Sequence, residues 1–436
     1  MILIYCSLKN IARLNYVASH IFGSLSGAKF EITCDKNRYL SCEGVCINYS
    51  NEELNHGLHI VPQGLLEEKG VRQITDLAKD RWKTYFCFFS QIKGDIPFDI
   101  FSATFYLLTS YEEYFSKNLD KHRRYSMYQS VIFLNNSLSV PVIDRWTECL
   151  RDELKTLYPT WKYRMRKFRT VSTVDVDFPY QYRYKGIIKT VGGIIKDLLK
   201  KDFEKVKERI KVICRLKEDA YFEAIKWLDD FHDKEDMNYY LFVLLGKCGK
   251  YGRTTVYPSE EWKWELNNLK KALIGLHPSY DTYHNINILQ KEKQELDALL
   301  GKAMISAERR HFLCYTCPES FREAEEAGFS DDFSLSFSLE PGFRSGTAVP
   351  YYFYDVEHDR ETRLLIHPTV MMDTSLISHL KMSPADTESK IRLLIDECVK
   401  SGGDFTCLWH NSNIAGDNNP WKEVFLKSIQ YALNYK

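Results

Sequence analysis

The residues with the types and spacing for chemistry fall in five short stretches between residues 173 and 412. TVDVD, at 173–177, closes an apolar run that begins near Arg169. Side chains alternate between the faces of a strand, so Asp175 and Asp177 project to the same side just where it ends. Two carboxylates so close cannot both stay ionised in a dry site without a cation or a shared proton. A metal with a nearby base is one answer, and a phosphoryl-transfer nucleophile with its acid is another. A turn carrying two solvated acids is the plain structural alternative. GLHPSY, at 275–280, ends a second apolar run in His277, and RRHFL, at 309–313, places His311 at an expected strand start beside Arg309 and Arg310. A hydrogen-bonded core histidine is the other reading of His311. The loop FSLEPGFRSGTAVPYYFY, at 337–354, holds a single cation, Arg344, between Gly342 and Gly346. An arginine so placed can orient a carboxylate, contact substrate oxygens or simply pin its loop. LWHNS, at 408–412, ends the last apolar run in His410. An aspartate and two neutral imidazoles suit Zn²⁺ or a similar divalent ion with open positions. The remaining aspartate and histidine are a natural base and acid.

The elements that must position these groups alternate. Apolar strands are expected at 170–176, 239–245, 272–276, 311–315, 333–338, 363–367 and 404–409, with helical stretches at 220–235, 259–271, 286–302, 318–327 and 384–401. Strands regularly separated by helices argue for parallel βαβ units. Seven of them fit a closed or nearly closed β/α barrel, although a doubly wound sheet gives a similar rhythm. In either, function collects at the C-terminal ends of the strands. Residues 1–165 read as a smaller α/β domain and 166–436 as the barrel. The first part has strand-like runs at 2–5, 30–33, 59–61, 85–89 and 131–134, and a helix opening after Asp99, a plausible N-cap. One insertion breaks the rhythm: residues 181–217 carry twelve Lys/Arg against four acids, interleaved with isoleucines and leucines. It reads either as a solvated helical hairpin over the barrel or as a surface for an acidic glycan or anionic lipid headgroups.

Composition narrows the classes. The 436 residues carry 59 Lys+Arg and 59 Asp+Glu, which removes the whole-chain electrostatic case for a nucleic-acid partner. At 44% hydrophobic and 27% charged the chain has the make-up of a folded globular protein. No stretch reaches the roughly 20 apolar residues of a spanning helix. Lys9 and Arg13 interrupt any signal-peptide core at the start. The twelve cysteines are scattered, several inside apolar runs, as reduced core thiols are. Cys42/Cys46 and Cys314/Cys317 lack the paired knuckles of a structural zinc site. A cytoplasmic location is expected.

TVDVD, GLHPSY, RRHFL, GFRSGT and LWHNS, in that order, resemble the polysaccharide deacetylase family (NodB-type, carbohydrate esterase family 4). The likeness is closest to a divergent branch, seen in Bacteroides-like bacteria, with an additional N-terminal α/β domain. PFDIFSATFYLLTSYEEY (97–114) and VPVIDRW (140–146) look like that domain. The resemblance implies a distorted (β/α)7 barrel and metal-dependent removal of acetyl groups from N-acetylated sugars, in a glycan or a glycan precursor. It makes Asp175 the catalytic base, Asp177 a ligand, His277 a second ligand and His410 the general acid. A valine intervenes between the aspartates, which are adjacent in the family. The family's second metal histidine corresponds to position 281, here Asp281. The third ligand then comes from Asp281, Ser279, His284 or His311, and His311 is favoured because it should lie on an adjacent strand. Arg344 would orient Asp175. The metal implied is Zn²⁺, with Ni²⁺ or Co²⁺ as alternatives.

Two other readings compete. A haloacid-dehalogenase-type phosphatase also places Asp-x-Asp after a buried strand, but needs a lysine and a later acidic pair on another strand. Asp331 and Asp332 follow EEAGFS, which does not read as one. A catalytically silent carbohydrate-binding or scaffold protein on the same fold is the third.

Overall fold

The structure, a computed structural model, describes residues 1–8, 10–74, 77, 79–246, 259–301 and 305–435. Strand β1 (Ile2–Cys6), buried throughout, is flanked by β2 (Phe30–Thr33) and β3 (Val45–Tyr49) in a parallel sheet that β4 (Leu58–Ile60) completes, in the order β2-β1-β3-β4. A hairpin, β5 (Lys79–Trp82) with β6 (Tyr85–Phe88), follows. The helix Ile100–Leu108 is buried along its whole length. Its first turn is held by Asp99, whose carboxylate accepts from the backbone N–H groups of Phe101 and Ser102 and from the Tyr49 hydroxyl at 2.9 Å. Val131–Leu134, expected as a strand, is a single helical turn. A four-residue apolar run does not distinguish the two by periodicity, and here Glu112 accepts from the Val131 N–H and anchors the turn.

The second sheet holds β7 (Arg169–Val176), β8 (Tyr239–Val243), β9 (Ala272–Leu276), β10 (Ala307–Glu308), β11 (Asp331–Asp332), β12 (Tyr351–Asp355), β13 (Arg360–Ile366), β14 (Met371–Met372) and β15 (Asp404–His410). Their order is β12-β13-β11-β10-β9-β8-β7-β15-β14, all parallel except β12 against β13. The segment 360–372 carries both ends of the parallel array. Its first part pairs with β11 as β13, and after four intervening residues it pairs with β15 as β14. His367 N–H donates to the Asp332 carbonyl at 2.8 Å, and Val370 N–H to that of Thr406 at 2.9 Å.

Two expected strands lie elsewhere. The run at 311–315 is a tight turn in which Phe312 and Leu313 take positive φ, and the strand precedes it at β10. In place of 333–338 the strand is Asp331–Asp332, so the acidic pair does lie on a strand. Both are two residues long, too short for an alternation to register in sequence.

The loop expected to serve the site instead docks onto the first part of the chain. Phe343 N–H donates to the Leu138 carbonyl and Ile143 N–H to that of Gly346, each at 2.8 Å. Asp144, within VPVIDRW, accepts from Thr347 Oγ1 at 2.6 Å and from Ala348 N–H. Gly346 has φ +73°, a conformation that favours glycine, and a Cβ there would press on Leu107 Cδ1 at 2.9 Å. Arg344 donates through Nη2 to Glu113 Oε1 at 2.6 Å and through Nη1 to the Ser336 carbonyl. Both charged side chains are 6% exposed. Removing one partner of so buried a pair strands the other. Arg344→Met is therefore expected to lower unfolding free energy by about 3–5 kcal/mol, with the metal content of the folded protein unchanged. An unaltered denaturant midpoint would dismiss the pair as a structural tie.

Candidate active site

Asp175 and Asp177 leave the C-terminal end of β7 as alternation requires, and His277 leaves the adjacent end of β9 two strands away. His311 hangs beyond β10, which pairs with β9 through Glu308 and Leu276. Arg309 N–H donates to the Leu276 carbonyl and His311 N–H to that of Pro278, so the RRH segment continues alongside the chain carrying His277. The two left-handed residues after His311 end that extension and turn the chain away.

The convergence is tight. Asp177 Oδ1 lies 3.2 Å from His277 Nε2 and 3.5 Å from His311 Nε2. The donor atoms of these three residues all lie within 4.8 Å of one another. His277 Nδ1 donates to the Arg309 carbonyl at 2.5 Å. A carbonyl only accepts, so a proton sits on Nδ1, and Nε2, which faces Asp177, is the atom a metal would take. Asp177 Oδ1, His277 Nε2 and His311 Nδ1 are buried without a hydrogen-bond partner. Orphaned polar atoms are costly in a dry interior. These residues therefore fit a divalent cation with one carboxylate and two imidazole donors. Burial alone would raise the Asp177 carboxyl, but the His311 and His277 imidazoles outweigh it and hold it well below the usual range. His277 is raised, against the pull of burial, by Asp175 and Asp177.

Of the four candidates for the third ligand, His311 alone joins this cluster among the described residues. Ser279 is committed to Glu292 through its N–H and its hydroxyl. Asp281 is exposed, and His284, also exposed, lies 3.4 Å from Thr316 Oγ1.

Asp175 is oriented by a different arginine from the expected one. Arg309 Nη1 donates to Asp175 Oδ1 at 2.9 Å and to Thr173 Oγ1 at 2.6 Å. Its Nε donates to the Phe333 carbonyl and its Nη2 to Thr369 Oγ1, while the guanidinium packs on Phe242 and Phe333. Arg309 is fully buried and has a partner for each face of its fork. Arg344 is tied to Glu113 and the Ser336 carbonyl instead, so its expected orienting role passes to Arg309.

His410 closes β15 in direct register with Asp175 of β7, so the two are neighbours on adjacent strands rather than opposite one another across a mouth. Its partner is Asp373, one residue beyond β14, which the sequence reading did not single out. His410 Nδ1 donates to Asp373 Oδ1 at 2.7 Å, and the His410 backbone N–H and the Asn413 side-chain Nδ2 donate to Asp373 Oδ2 at 2.7 and 2.9 Å. Burial would lower the imidazole, but Asp373 foremost, with Asp177 and Asp175, pushes it up to about 10. That direction favours the protonated imidazole, whose remaining donor is Nε2–H.

Residues 2–159 match the model of a family of unknown function (DUF7033). No curated protein matches the chain in sequence. Among solved structures the chain is similar to a candidate polysaccharide deacetylase from Mycobacterium smegmatis, with 13% identity, a TM-score of 0.41 and coverage of 62% of this chain and 85% of that one. It is similar to an allantoinase, with 12% identity, a TM-score of 0.40 and coverage of 61% and 84%. It is also similar to a candidate polysaccharide deacetylase involved in O-antigen biosynthesis from Bordetella bronchiseptica, with 13% identity, a TM-score of 0.29 and coverage of 56% and 72%.

Proposed function

We propose that the chain is a metal-dependent amide hydrolase that removes N-acetyl groups from an amino-sugar-containing glycan or glycan precursor. The observation that carries this is the meeting of Asp177, His277 and His311 between an arginine-held carboxylate, Asp175, and a carboxylate-held imidazolium, His410. In this reading 166–436 forms the catalytic seven-stranded barrel, with 360–372 as the closing strand, and 1–165 is an accessory domain. The absence of a disulfide among the eleven described cysteines suits a reducing, cytoplasmic setting; Cys248 lies outside the described residues.

A divalent cation held by Asp177, His277 and His311, Zn²⁺ by donor type, would polarise the acetyl carbonyl and acidify a water. The rest falls to the chain. Arg309 holds Asp175 Oδ1, which fixes the carboxylate and leaves Oδ2 to take the attacking water's proton. His410, kept protonated by Asp373, gives its Nε2 proton to the departing amine. The base and acid act from neighbouring strands, so both reach the same scissile bond.

The test is acetate release from N-acetylated sugars and oligosaccharides by the purified chain, with metal content measured alongside. Stoichiometric Zn²⁺, Ni²⁺ or Co²⁺ with chelator-sensitive release is the expected result. A chain without tightly held metal or release would be the silent carbohydrate-binding protein. Asp373 adds a pH signature. A group raised in the folded state contributes stability fully below its unfolded value, near 6.5, and loses it as pH rises through about 10. Asp373→Asn removes that support, so the alkaline limb of kcat/KM is expected to move down by about 1–3 pH units. An unmoved limb would mean another group is the acid.

A further inference from the structure

The basic insertion folds as two helices, Gly186–Leu199 and Phe203–Ile213, joined by a short turn and braced by the Asp197–Arg209 ion pair at 2.7 Å. A helix packed on a globular core buries its apolar stripe, and this hairpin does not. Ten of the 27 large hydrophobic side chains exposed among the described residues lie between 187 and 216. Ile187, Ile188 and Leu199 are 83%, 89% and 80% exposed. On the second helix Phe203, Ile210 and Ile213 recur at helical spacing, all exposed. The four acids of 181–217 are each taken by a base of the same segment: Asp197 by Arg209, Asp202 by Lys205, Glu204 by Lys207 and Glu208 by Lys217. Lys196, Lys200, Lys201 and Lys211 are exposed beside the aliphatic side chains.

We propose that the hairpin 186–213 docks on the surface of an anionic lipid bilayer, its aliphatic side chains entering the headgroup–acyl boundary and its lysines pairing with lipid phosphates. Exposed aliphatic groups interleaved with surplus cations match that boundary on both counts. A second copy of the chain would bring two surfaces of the same sign together and so fits less well. No described helix is long and apolar enough to cross a membrane, which leaves an in-plane contact. The hairpin is rooted at the site. Asp219, fully buried, accepts from the N–H groups of Gln181, Tyr182 and Arg183 and clamps its stem just after Asp177. Docking would therefore bring the rim that carries Asp175 and Asp177 to headgroup level, whatever the chemistry of the site.

The test is co-sedimentation of the full chain with phosphatidylcholine vesicles, with and without about 30% phosphatidylglycerol, at low and high salt. Binding at least about tenfold tighter to the anionic vesicles, and weakened by salt, is expected. A triple variant, Ile187→Ser, Ile188→Ser and Leu199→Ser, should lose that binding while keeping the thermal midpoint and metal content, since these side chains face solvent. Equal binding to neutral vesicles would overturn the proposal, as would anionic binding untouched by the serines. Binding only to a soluble polyanion, or a dimer that the serines dissolve without any vesicle binding, would overturn it too. Failure to release acetate leaves these outcomes unaffected.

Discussion

Asp175→Asn is expected to cut turnover by about 10²–10⁴-fold, the usual size of a general-base contribution, with metal content unchanged. The amide keeps the shape of the carboxylate and can still accept from Arg309 through its oxygen, but it cannot take a proton. Arg309 also keeps Thr173, Thr369 and the Phe333 carbonyl as acceptors, so its buried charge stays solvated by the fold. Single-turnover kinetics beside metal analysis separates the outcomes. Loss of metal would mean that Asp175 is the ligand and that the aspartates have exchanged roles. Full activity would remove Asp175 from the chemistry.

His277→Ala is expected to abolish stoichiometric metal binding and, with it, activity, weakening affinity by more than the roughly 10–100-fold typical of losing an outer-sphere partner. Two protein donors are too few for a tight site. His311→Ala should behave alike, whereas Asp281→Ala and His284→Ala should bind metal as the parent does. Equilibrium dialysis checks this without an activity assay. Stoichiometric metal in His277→Ala, or its loss in His284→Ala, would redraw the ligand set.

The parts of the site legible in the sequence are those at the ends of long apolar strands. TVDVD, at the end of an eight-residue strand, places Asp175 and Asp177 by alternation alone, while His277 follows a strand of five and His410 ends one of seven. Arg309 and Asp373 escaped because β10 and β14 are two residues long and display no period. A trace of Arg309 was present: it stands two residues before His311, as Asp175 stands two before Asp177. Arg344 attracted attention through its glycines, which serve the close approach of backbone to Leu107 and Leu138 rather than a ligand. That His410 neighbours Asp175 instead of facing it depends on sheet order. Sheet order is a long-range property that local pattern does not encode.

Among the described residues most buried apolar side chains belong to one cluster that runs from Ile2 in β1 to Ala432 and includes residues on both sides of 165, with three small clusters apart from it. A cut there would expose Leu107, Val142 and Ile143 on one piece and Phe343, Ala348 and Val349 on the other. Neither fragment would then carry the apolar burial that offsets chain entropy. Thermal denaturation should accordingly be one cooperative event, with calorimetric and van't Hoff enthalpies agreeing, rather than two separable meltings. The part of the chain after residue 165 is thus no portable cassette: grafted behind a foreign partner it would lack a wall of its own interior.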